Sequence, residues 1–102
     1  MAQVAEIVLL ARAENDLLRL YAKFESHTAG RGEEFSREIE RVLGLLSLWP
    51  RLGRQVGQDY RRLMMSHFPY SLIYAVEGRR VLIHAVASNH ISLGTTLRSL
   101  DS

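Results

Sequence analysis

Apolar and polar positions change their period once along this chain, and the change divides it into a helical first half and a strand-rich second half. Val4 to Leu9 is apolar apart from Glu6 and rich in β-branched residues, which predicts a first strand with mostly buried faces. Arg12 to Asp16 breaks that run. From Asp16 onward, Leu17, Leu20, Tyr21 and Phe24 recur at i, i+3, i+4 and i+7, the spacing of one face of an amphipathic helix, which should end near Ser26 to Thr28. Gly30-Arg31-Gly32 reads as a short turn. Beyond it Phe35, Ile39, Val42, Leu43 and Leu46 repeat the helical period, with Glu33 and Glu34 in the first turn, where the helix dipole favours negative charge, and Pro50 past the expected end. Two helices joined by so short a turn form an antiparallel hairpin.

After Pro50 the pattern shortens. Tyr60 to Ser66, Tyr70 to Glu77 and Val81 to Ala87 are β-prone segments, linked by His67-Phe68-Pro69 and Glu77-Gly78-Arg79 as tight connections between antiparallel strands. Arg51 to Val56 supplies a candidate edge strand, and Leu93, Leu97 and Leu100 are spaced for a short terminal helix. The predicted fold class is α+β, in the order β-α-α-β-β-β(-β), with the helix hairpin packed on one face of a small, mainly antiparallel sheet. Residues 1–102 are expected to form one domain, given the usual size of a domain core.

Composition narrows the classes of function. Hydrophobic residues are 47% and charged residues 24% of the 102, the balance of a folded globular protein. The chain lacks cysteine, which excludes disulfides and thiolate metal sites. Met1-Ala2-Gln3-Val4 does not read as a secretory leader, and the apolar run Ile7 to Ala11 is too short to span a bilayer, so a cytoplasmic protein is expected. The net charge is only +2, yet twelve of the thirteen basic residues are arginine, Lys23 being the exception. Arginine pairs bidentately with carboxylates and phosphates, so this bias suits an acidic partner or nucleic acid; a genome rich in arginine codons would produce it equally well.

Four segments taken in order resemble the ParE-like branch of the RelE/ParE toxin superfamily, the plasmid-stabilisation and type II toxin-antitoxin toxins. They are Leu10-Ala11-Arg12-Ala13-Glu14-Asn15-Asp16-Leu17 leading to Tyr21; Leu46-Ser47-Leu48-Trp49-Pro50-Arg51-Leu52-Gly53; Tyr60-Arg61-Arg62-Leu63; and Phe68-Pro69-Tyr70-Ser71-Leu72-Ile73-Tyr74 followed by Val81-Leu82-Ile83-His84-Ala85-Val86. The resemblance implies a toxin that inhibits DNA gyrase and is neutralised by a cognate, ParD-like antitoxin wrapping around it. The chain departs from the pattern after the last strand. Many relatives carry a histidine and then arginines there; this chain has Ala87-Ser88-Asn89-His90-Ile91, with Ser88 at the histidine's place. RelE-type members cut messenger RNA on the ribosome with basic, acidic and tyrosine side chains near that strand end, and no such set maps onto this sequence.

The residues themselves keep several readings open. His27, His67, His84 and His90 are scattered without metal-binding spacing, so neither a metal nor another cofactor is expected. His84 alternates in phase with Leu82 and Val86, as a partly buried structural histidine would. His90, among Ser88, Asn89 and Ser92, is either a proton-transfer group for RNA cleavage or an exposed loop histidine. Arg61 and Arg62 point to opposite sheet faces, so at most one shares a surface with Arg54 or Arg79, and Arg61 is the expected one. If the face opposite the hairpin is open, Arg54, Arg61 and Arg79 with Tyr70 or Tyr74 could hold phosphate or a target surface. The hairpin stripe of Leu20, Phe24 and Phe35 is core, or else the apolar patch that an antitoxin covers. Three functions follow: a gyrase-binding toxin, a ribosome-dependent mRNA endoribonuclease, and a non-toxic antitoxin-binding module.

Overall fold

The computed structural model describes residues 4–101; Met1 to Gln3, where the leader was sought, and Ser102 lie outside the described residues. The elements are β1 (Glu6–Leu9), α1 (Ala11–His27), α2 (Arg31–Leu48), β2 (Arg54–Val56), β3 (Tyr60–Met64), β4 (Tyr70–Glu77), β5 (Arg80–Ser88) and α3 (Leu93–Leu100). The five strands form one sheet in the order β1-β5-β4-β3-β2, antiparallel throughout except that β1 runs parallel to β5. As an edge strand β1 is only half-buried, less than its apolar sequence suggests.

α1 begins a full turn earlier than the leucine spacing predicts. Ala13 is completely buried and lies four residues before Leu17, so the apolar stripe starts there and the helix starts with it. Asp16 does not cap the helix. Its carboxylate reaches β5 and accepts the Val86 N–H at 3.0 Å. The turn into α2 depends on two glycines. Gly30 has φ +87°, a left-handed conformation disfavoured for other residues, and a Cβ on Gly32 would meet the Tyr21 carbonyl at 3.0 Å. The N–H groups of both donate to the Glu25 carboxylate, which places an anion at the positive end of α2.

The hairpin packs its stripe onto one sheet face. Leu20, Phe35, Val42 and Leu46 meet Leu72, Tyr74, Val81 and Ile83, and Phe24, Phe35, Phe68 and Tyr70 form an aromatic cluster with centroids 5.0 to 5.8 Å apart, edge-on except for the tilted Phe24–Phe35 pair. A β-bulge between Ile73/Tyr74 and Ala85/Ile83 breaks the alternation of β5 at His84. His84 therefore does not keep phase with Val86: Val86 joins the hairpin core, whereas the His84 ring meets Tyr60 edge-on at 5.2 Å.

The sheet face opposite the hairpin is not open at its centre. α3 lies against it, with Leu93 and Thr96 facing Ile73, Ala87 and Ser71, and Leu97 beside Gly57. Ser92 caps this helix by accepting the Thr95 N–H at 3.2 Å. The Tyr60 hydroxyl donates to Asp101 at its far end.

Candidate functional site

The structure separates the residues that the sequence suggested as one phosphate-holding surface. Across the β2–β3 ladder Arg54 stands opposite Arg62, not Arg61. Arg62 is held by its neighbours: its Nε donates to Ser71 Oγ and its Nη2 to Asn89 Oδ1, each at 3.2 Å, while Ser71 Oγ donates to Asn89 at 2.5 Å. Arg61 takes the other face, where Nη1 donates to the Gly53 carbonyl at 2.8 Å and to that of Arg51 at 3.3 Å. It thereby ties the chain before β2 to the sheet. Arg79 sits in the β4–β5 connection, where its carbonyl accepts the Glu6 N–H.

The tyrosines are structural as well. Tyr70 is buried in the aromatic cluster and its hydroxyl accepts a hydrogen bond from Lys23 Nζ at 3.2 Å. Tyr74 is fully buried. Burial pushes its hydroxyl pKa up, opposed by the Gly53 N–H that it accepts and by the charge of Arg61. Neither ring offers a face on which a base could stack. Leu20 and Phe35 are 0% and 1% exposed and Phe24 is half-buried, so the hairpin stripe is spent on this chain's own sheet rather than left for a partner. Its apolar side chains gain more from the adjacent sheet than from remaining in water.

His90 lies exposed on the turn after β5, its backbone N–H donating to Ser88 Oγ at 3.1 Å. No acid orients its ring among the described residues. His84 is half-buried, and burial lowers its pKa, with Glu77 pulling weakly the other way. Among the described residues no cluster of three or more histidine, aspartate or glutamate side chains converges, and no helix is long and apolar enough to cross a membrane.

Two surfaces stand out instead. The first is an apolar corner where α2 ends. Leu48, Trp49 and Leu52 are 56%, 58% and 48% exposed, and with Pro50, Arg51 and the edge of Val76 they line a hollow of about 430 Å³. Three large apolar side chains this exposed and adjacent are characteristic of a protein-contact patch. Trp49 follows the last helical turn, so the α2 stripe does not carry it inward. Proximity to Pro50, which ends the helix, was the available sequence signal.

The second is a groove of about 380 Å³ bounded by α1, the end of β5 and α3. Arg12, Arg19 and Lys23 project from one side of α1, spaced by seven and then four residues, a single helical face. Asp16 lies among them, pairing with Arg12 at 3.8 Å and Arg19 at 3.4 Å as well as holding Val86. Arg12 also spans the groove to donate to Ser99 on α3. That periodic set of charges was visible in the sequence, but its meaning depends on α3 facing it.

The fold is α+β: a helix hairpin on one face of a five-stranded sheet, with a parallel first strand and a final short helix. Among solved structures, a chain of the "Chromosomal ParDE TA system from P. aeruginosa" shares this fold with a TM-score of 0.74 at 15% identity, over 85% of this chain and 98% of that one. No family model and no curated protein sequence matches the chain.

Proposed function

We propose that this chain is the toxin of a type II toxin-antitoxin pair, acting by contact on DNA gyrase and held inactive in a cytoplasmic complex with a cognate antitoxin. The observation that carries the reading is the backbone likeness to the ParDE system, which covers nearly all of the compared chain. The disposition of the side chains supports a binding protein over a nuclease. A general base for RNA cleavage must come within hydrogen-bond reach of the proton it takes and work beside groups that neutralise phosphate. Here Arg61 and Arg62 are engaged by this chain's own carbonyl, serine and asparagine oxygens, and no hydrogen bond joins His90 to either. The exposed corner of Leu48, Trp49 and Leu52 supplies what a contact mechanism needs, a desolvating anchor around an aromatic side chain.

The test is to express the chain under tight control, then measure supercoiling by purified gyrase with added protein, beside a translating extract scored for message cleavage. Blocked supercoiling with intact messages is expected. Cleaved messages with normal supercoiling would replace this reading with the endoribonuclease, and growth unaffected by expression would leave only an antitoxin-binding module.

A further inference from the structure

Four of the seven large apolar side chains exposed among the described residues gather at one corner. Leu48, Trp49 and Leu52 lie at and just beyond the end of α2. Val4 joins them because the Ala5 N–H donates to the Ser47 carbonyl at 2.8 Å, which holds the residues before β1 against the last turn of that helix. The β4–β5 turn completes the corner: Val76 and Gly78 line the hollow beside Trp49, while Glu77 and Arg79 stand with Val4 on the other side of the turn. Apolar surface left in water in this amount is stabilised by contact with another surface. The charges around the corner indicate which surface. Arg80 is paired with Glu6 at 3.2 Å, but Glu77 and Arg79, both exposed, make no side-chain hydrogen bond or ion pair among the described residues. They flank Gly78, which turns the chain with φ +61° and beside which a Cβ would meet nothing within 4 Å. An acidic partner would satisfy Arg79 alone and a basic one Glu77 alone. A second copy rotated by a half-turn about Gly78 satisfies both, because in a two-fold contact residue i meets j wherever j meets i.

From this geometry we infer that the chain pairs with a second copy of itself through this corner, with Gly78 near the two-fold axis and Glu77 of each copy against Arg79 of the other. The exposed Trp49 and the hollow of about 430 Å³ beside it give each copy both a projecting ring and a recess, so the two copies fill one another reciprocally. Specific dimers bury about 800 Å² per partner, about one-eighth of this chain's 6314 Å² surface. The four apolar side chains supply part of that area and the charged rim must close to supply the rest, so the dimer is expected to be reversible, with a dissociation constant in the micromolar range. A pair closed in this way hides Trp49. The dimer and any target that uses the same corner therefore exclude one another.

The experiment is sedimentation equilibrium of the full chain alone, from about 1 to about 200 μM, a range that brackets a micromolar dissociation constant. The wild type is expected to pass from monomer to dimer. Trp49→Ala should weaken the dimer at least about tenfold. Glu77→Arg alone and Arg79→Glu alone should each weaken it at least about fivefold, since the two-fold axis doubles every change at the rim. Glu77→Arg combined with Arg79→Glu exchanges the two charges and should restore association to within about twofold of wild type, which also shows that the single variants lost the contact and not the fold. Leu18→Ser, at an exposed apolar position on α1, should leave the dimer intact. A wild type that stays monomeric, a charge exchange that fails to restore pairing, or a Leu18→Ser loss equal to that of Trp49→Ala would each overturn the pair. Gyrase inhibition is scored separately. A dimer without inhibition leaves the pair standing and removes the target reading, whereas inhibition by a chain that stays monomeric removes the pair alone.

Discussion

The hydroxyl of Tyr74, fully buried on β4, accepts the N–H of Gly53 at 2.8 Å and so fixes the point at which the chain leaves the hairpin and enters β2. Only glycine allows the approach. A Cβ at position 53 would lie 2.7 Å from that hydroxyl and 2.9 Å from the Arg62 carbonyl. Arg61, the partner of Tyr74 across the β3–β4 ladder, secures the same loop through the Gly53 carbonyl.

Tyr74→Phe is therefore expected to destabilise the chain by about 1–3 kcal/mol, the cost of leaving a buried N–H unsatisfied. Gly53→Ala should cost at least as much, because backbone as well as side chain must move. Urea denaturation of the two variants measures both; a Tyr74→Phe midpoint equal to wild type would show that water reaches this N–H.

A second prediction concerns acid. Glu38 is buried beneath the β3–β4 turn, where it accepts the Ser66 N–H at 2.7 Å, the His67 N–H at 3.2 Å and His67 Nδ1 at 2.8 Å. Burial pushes its pKa up, but these donors outweigh burial and hold the carboxyl below its ordinary value. The stability it contributes is thus present above the ordinary value of 4.5 and is lost as pH falls through the lower folded value. His84 acts in the same direction at milder pH. Burial lowers its pKa from 6.5, so below that pH the unfolded chain takes up the proton first and the fold loses ground. Thermal unfolding followed from pH 7 to about pH 2 should show two stretches of declining stability. His84→Gln should flatten the upper one alone and Glu38→Gln the lower one alone.

Third, the hairpin stripe should behave as core. Phe35→Ala is expected to cost about 3–5 kcal/mol and Leu20→Ala about 2–5 kcal/mol, since each leaves a cavity against β4 and β5. Calorimetry is the direct check. Wild-type melting temperatures with weakened antitoxin capture would return these residues to the partner surface.

Trp49 should behave in the opposite way. Trp49→Ala is expected to change stability by no more than about 1 kcal/mol, as for most exposed positions, while weakening gyrase inhibition or antitoxin binding at least tenfold. Titration calorimetry with the antitoxin and the supercoiling assay read the two contacts. If neither moves, the apolar corner has no part in the function.

Much of the architecture was legible because periodicity is a local property. The 3.6-residue spacing of Leu17, Leu20 and Phe24, and of Phe35, Ile39 and Val42, placed both helices. The apolar segments after Pro50 placed β3, β4 and β5 to within two residues, and Leu93, Leu97 and Leu100 marked α3. The start of α1 was obscured because alanine at position 13 is too small to register as an apolar anchor until a sheet is seen to cover it. The phases of Arg61 and His84 were harder still. Strand alternation separates Arg61 from Arg62 but does not say which of them faces the hairpin, and one inserted residue at the bulge reverses the side chains that follow.

By itself, the sequence determined the kinds and order of the elements and the apolar faces that had to be buried, since those depend on spacing along the chain. Tertiary structure alone decided which polar groups meet. α3 covers the sheet face that seemed free for phosphate, Arg62 is consumed by Ser71 and Asn89, and the cations of α1 are set over a flank of β5 that β1 is too short to cover. Such encounters join residues up to 87 positions apart, as Arg12 to Ser99 does, and they depend on strand length, register and twist summed over the whole sheet.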